Sequence, residues 1–78
     1  MTDCARIAKD YIKTLKEDKI TELLEHPDFE YTEKWILYYT YVKERYVANT
    51  CMKLHLSEKQ FFIHLREALI KLYYISNL

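Results

Sequence analysis

The chain contains no glycine, and its only proline is Pro27. Tight hairpins normally need Gly or Asn-Gly, because their turns place residues at positive φ. Without such turns, and with abundant Lys, Glu and Leu, the sequence reads as helices joined by short connections. Its 78 residues suffice for one domain but not for two separate cores. Half of them are apolar and 15% aromatic, enough to build a packed interior. The expected fold is a single all-α domain over 1–78 with four or five helices. Its parts are N-terminal helices within 1–26, a central helix over 32–46 and a helix-turn-helix over 46–76.

Cys4 and Cys51 are too few for the disulfide framework of a small secreted scaffold. Met1–Asp10 mixes Asp3, Arg6, Lys9 and Asp10 among its apolar residues, so no signal peptide is expected. The longest uncharged run, Trp35–Val42, falls far short of the ~20 residues of a membrane span. A reduced, cytoplasmic protein with no membrane partner is the reading that follows. The formal net charge is zero, which argues against strong non-specific nucleic-acid binding. Its distribution is uneven: residues 1–42 carry a net −3 and residues 43–78 a net +3. Such asymmetry hints that the C-terminal half faces a polyanion.

Along the chain, Cys4, Ile7, Ala8, Tyr11, Ile12 and Leu15 follow helical spacing, so the first helix should run from Thr2 or Asp3 to about Lys16. Ile20, Leu23 and Leu24 leave that stripe. A break near Glu17-Asp18 and a second helix over Lys19–Glu25, capped by Asp18, resolve the mismatch. His26-Pro27-Asp28 should end it. The third element, 32–46, has Thr32 as its cap and Glu33 in its first turn. Trp35, Tyr39, Val42 and Tyr46 form one stripe, while Ile36, Leu37 and Tyr41 occupy other sides. An all-round apolar helix implies the buried centre of a domain. The competing reading is a strand, but WILYYTYV has neither a partner nor a hairpin turn, so a helix is favoured.

Val47, Cys51 and Leu54 then predict a short helix, and His55-Leu56 a tight connection. Ser57-x-x-Gln60 is a capping box, in which each side chain serves the other's backbone N–H. Leu56 and Phe61 are spaced for a hydrophobic staple across the cap, and Leu65, Ala68, Leu69 and Leu72 continue the inner face. A short helix, a tight turn and a well-capped second helix make a helix-turn-helix. Cys51 is small where the helices cross, and Leu54, Leu56 and Phe61 fill the corner. The backbone N–H groups beyond Ser57 could meet a DNA phosphate.

The stretch Cys51–Leu72, CMKLHLSEKQFFIHLREALIKL, resembles the C-terminal domain of ArpU/RinA-type phage transcriptional regulators, relatives of sigma factor region 4. The pattern L-x-I-S-x-x-x-Y-Y…x-A-L-x-K-L is matched by Leu54, Leu56, Ser57, Phe61, Phe62, Ala68, Leu69 and Leu72. Trp35, Ile36, Leu37 and Arg45-Tyr46 look like that family's approach helix. The likeness spans about half the chain and rests on fold-forming positions, so it speaks for fold more than function. It implies a small sequence-specific DNA-binding regulator of a phage or mobile element. Ser57, Glu58, Lys59, Gln60 and His64 would face double-stranded DNA, flanked by Lys53 and Arg66. Gln60 suits adenine, Lys59 guanine and Glu58 cytosine. One departure stands out: the family has a basic residue after the paired aromatics, and this chain has Ile63. A single copy would neutralise few phosphates, so a homodimer or an RNA polymerase contact, supplied by residues 1–25, is expected to complete the regulator.

A second function class fits the same fold: a protein-binding inhibitor or adaptor gripping its partner through Glu58, Phe62, Ile63 and Tyr74. Ile63, Ile70 and Tyr74 lie at i, i+7 and i+11, opposite the core stripe. They mark either a helix buried on all sides or a dimer or partner surface. Catalysis is not expected. His26, His55 and His64 fall in different elements, Cys51 and His55 make two zinc ligands at best, and no Gly-rich phosphate loop exists. No metal, cofactor or enzymatic role is therefore assigned.

Overall fold

The computed structural model describes residues 3–78. They form five α-helices and one π-helical segment, with no strand among them. Helix α1 is Cys4–Ile12, capped by Asp3, whose carboxylate accepts from the Arg6 N–H at 3.1 Å. Thr2, the other candidate cap, lies outside the described residues. The helix stops four residues before the expected Lys16. Thr14 donates its hydroxyl to Tyr11 O at 2.6 Å. The Thr14 and Leu15 N–H groups reach only three residues back. A tightened last turn of this kind ends the ladder.

Helix α2, Glu17–Leu24, starts two residues before the expected Lys19, and its cap position is Lys16 rather than Asp18. Glu17 and Asp18 thus lie in its first turn, where the helix dipole favours carboxylates. Ile20 and Leu24 are buried. The chain turns at His26-Pro27-Asp28, as its proline requires, and buries Phe29.

Helix α3, Tyr31–Leu37, is capped by Glu30 instead of Thr32. The Glu33 carboxylate reaches back to accept from the Glu30 N–H at 2.8 Å. The segment that could be read as a strand is helical, but the expected continuous helix over 32–46 is not. Tyr38–Val42 widens into a π-helix, and the chain leaves it at Lys43. Trp35, Tyr38 and Tyr39 crowd together here, with Trp35 stacked on Tyr39 at 5.5 Å. Tyr38, Tyr41 and Val42 of this wider turn pack against the main core. Glu33, Ile36 and Leu37 are the only fully buried residues of this region, and Tyr46 is exposed. This segment is therefore not the centre of the domain.

The centre is α5, Glu58–Ile75. Helices α1 and α3 pack along it, and α4, Val47–Leu54, packs near its start. Two clusters result. The larger joins Ala5, Ala8 and Ile12 of α1 to Ile20, Leu24, Phe29 and Leu37, and to Ala68, Leu69 and Leu72 of α5. The smaller is Ile36, Cys51 and Phe61, with Val47, Leu54 and Leu56 packed around it. Leu65 touches both and links them.

Candidate nucleic-acid interface

The corner between α4 and α5 is built from the small cluster outward. Helix α4 ends with His55 in the left-handed conformation at φ 57°. Glycine normally takes this position; here a histidine does. The Leu56 N–H bonds Cys51 O at 2.9 Å and closes the helix end. Ser57 then caps α5. Its hydroxyl accepts from the Gln60 N–H at 3.1 Å, and the Gln60 amide oxygen accepts from the Ser57 N–H at 2.9 Å. Leu56 and Phe61 both pack in the small cluster, and Phe61 is fully buried. Cys51 sits beneath the turn with its sulfur 3.9 Å from Ser57 O. Burial, reinforced by the Glu58 charge, pushes its thiol pKa up, which keeps it protonated and suited to packing.

Lys53, Ser57, Glu58, Lys59, Gln60 and Arg66 are all exposed. They do not form one surface. At ~100° per residue, Lys59, Ile63 and Arg66 share the outermost strip of α5, and Gln60 and His64 lie on a flank. Gln60 is further committed, because its amide oxygen is held by the cap. His64 is half-buried, with its Nδ1 shielded from solvent and without a hydrogen-bond partner. The Ser57 hydroxyl is likewise occupied. The cap leaves the N–H groups of Glu58 and Lys59 open at the positive end of the helix. Lys53 lies 5.6 Å from the Tyr39 ring centroid, and Arg45 lies 5.4 Å from it.

Of the second apolar stripe, Ile63 is 48% and Tyr74 67% exposed, whereas Ile70 packs on the main core. The stripe is therefore not buried as a whole. Phe62, stacked edge-to-face on Phe61, is 49% exposed. Adjacent helical residues point ~100° apart, so burying Phe61 turns Phe62 outward.

One polar pair, with a buried carboxylate and a partly exposed ammonium, has no counterpart in the sequence reading. Glu33 is only 1% exposed, and its carboxylate binds the Lys71 ammonium at 2.7 Å, across 38 positions. The hydrogen bond to Glu33 raises the Lys71 pKa, outweighing the opposite effect of burial. Spacing along one helix cannot reveal such a pair. The only available signal was an acidic residue in a segment otherwise read as buried.

Among the described residues no three His, Cys, Asp or Glu side chains are grouped to hold a metal ion. No helix among the described residues is long and apolar enough to cross a membrane. Comparison with known proteins finds no matching family model, no significantly similar curated protein and no significantly similar solved structure.

Proposed function

We propose that α4 and α5 act as a DNA-binding helix-turn-helix of a small transcriptional regulator of the phage type. In this reading the first turns of α5 enter the major groove. The observation that carries it is the Ser57–Phe61 corner. The capping box and the buried Phe61 fix the start of α5 while Lys59 and Arg66 stay exposed on its outer strip. The resemblance of Cys51–Leu72 to ArpU/RinA-type regulators points the same way. Lys59 then reads a base edge and Arg66 and Lys53 meet phosphates, with the open N–H groups of Glu58 and Lys59 near the backbone. Gln60 serves the cap first and contributes little to base readout. Neutralising two phosphates gives a log–log salt slope of about −2 per chain.

Fluorescence anisotropy with a labelled duplex tests this directly. Arg66→Ala should weaken all sequences alike and shallow the slope by about one unit. Lys59→Glu should abolish binding without unfolding the chain. Unchanged affinity in both variants would remove the reading. The exposed Phe62, Ile63 and Tyr74 favour a second reading, an adaptor that binds protein through this face. Its mark is an Ile63→Asp variant that loses a protein partner while Lys59→Glu keeps it.

A further inference from the structure

Between α1, the segment 40–47 and the first half of α5 lies an open groove of about 870 Å³. Its accessible floor is apolar, formed by Leu15, Tyr41, Phe62 and Leu65 over the buried Ile12, Ile20 and Leu69. Lys9 of α1, Lys13 at its C-terminal cap, Arg45 and Arg66 stand around it, against a single carboxylate, Glu44. All four cations are exposed, and none forms an ion pair among the described residues.

We propose that this groove docks an acidic amphipathic helix of a partner protein, with an apolar stripe on the floor and Asp or Glu on its flanks. Charge complementarity selects that occupant. The cations come from three elements, so positive charge borders the floor on several sides. A lone anionic head group would engage a fraction of it, whereas a helix with two acidic flanks can engage several cations at once. Apolar anchors at i, i+3, i+4 and i+7 suit a floor of this kind, and the charges set orientation and association rate. Tyr39 beneath Arg45 steadies that side chain at the rim. The site is separate from the proposed DNA surface except for Arg66.

The probe is a fluorescein-labelled synthetic helix of about four turns, ~14 residues, with a leucine stripe flanked by Glu. Its control carries Lys in place of every Glu. Saturable binding of the acidic probe alone is expected. The double variant Lys9→Glu/Lys13→Glu should weaken it about tenfold. Phe62→Ala, also at the groove, should weaken it by about as much, with folding checked by circular dichroism. Lys59→Glu should leave it unchanged. Equal binding of both probes, or no saturable binding up to about 100 μM, would overturn the proposal. So would self-association or duplex binding that depends on Lys9 and Lys13 in the absence of probe binding. Probe binding that needs Lys9 and Lys13 stands even if the duplex assay fails.

Discussion

The two halves of α5 are made of similar residues and do opposite things. From Leu65 to Ile75 the helix is gripped by its neighbours: Ala68, Leu69 and Leu72 are buried in the main cluster, and Lys71 is tied to Glu33. From Glu58 to His64 only Phe61 is buried, and five of the other six residues are exposed. One half secures the fold and the other presents a surface. Stability concentrated in the C-terminal half leaves the N-terminal half free to vary in chemistry at little cost to folding.

Truncation inside the clusters should give the largest effects and test that division. Leu72→Ala and Phe61→Ala should each cost about 3–5 kcal/mol in denaturant unfolding, a large part of a small domain's stability. Their consequences should differ in kind. A partly stabilised Phe61→Ala chain should lose surface order around Ser57, seen as faster amide exchange there, while Leu72→Ala should loosen α1 as well. A loss under about 1 kcal/mol for Phe61→Ala would mean that the corner is not packed as described.

Next comes the pair that anchors α5 to α3. Lys71→Met leaves the Glu33 carboxylate buried without its cation, at a cost of about 2 kcal/mol after allowing for partial exposure of the lysine. Because the Lys71 pKa is raised in the fold, its contribution is complete below the ordinary lysine value of ~10.4 and is lost as pH rises through the higher folded value. The stability gap between wild type and Lys71→Met, measured by urea unfolding, should therefore hold at neutral pH and narrow in strong alkali. A gap independent of pH would show that the two side chains are not coupled.

The smallest effects lie at the turn. Ser57→Ala should cost about 1 kcal/mol and Ser57→Gly a few tenths. His55→Gly should gain about 0.5–1 kcal/mol by relieving the left-handed residue at φ 57°. A destabilising His55→Gly would assign the imidazole a packing role that its exposure does not suggest.

Local chemistry made some of this visible in advance and long-range contacts hid the rest. The Ser57-x-x-Gln60 box, the Leu56–Phe61 staple and the short helix α4 are all short-range patterns, and each occurs where the spacing puts it. Pro27 and the lack of glycine set the helical class. The ends of α1 and α2 depart from the expected ones because the Thr14 hydroxyl bonds the backbone and the helix dipole draws Glu17 and Asp18 into the first turn, neither of which side-chain periodicity registers. The π-helix at Tyr38–Val42, with the aromatic contacts among Trp35, Tyr38 and Tyr39, departs from the 3.6-residue wheel that the spacing assumes. At the candidate interface, the exposed residue types were legible, but the commitment of Gln60 to the cap and the withdrawal of His64 depend on geometry. The Glu33–Lys71 pair and the cationic groove depend on how distant segments meet.

The central claim, that the first half of α5 is the surface that meets DNA, is tested most directly by amide chemical-shift mapping. A short duplex is added to the folded chain at low salt, where electrostatic binding is strongest. The expected result is a set of shifts at Lys53, Glu58, Lys59, Ile63 and Arg66 that fades with added salt, and no change at Ala68, Leu69 and Leu72. No shifts at all, or shifts confined to α1 and α2, would contradict it.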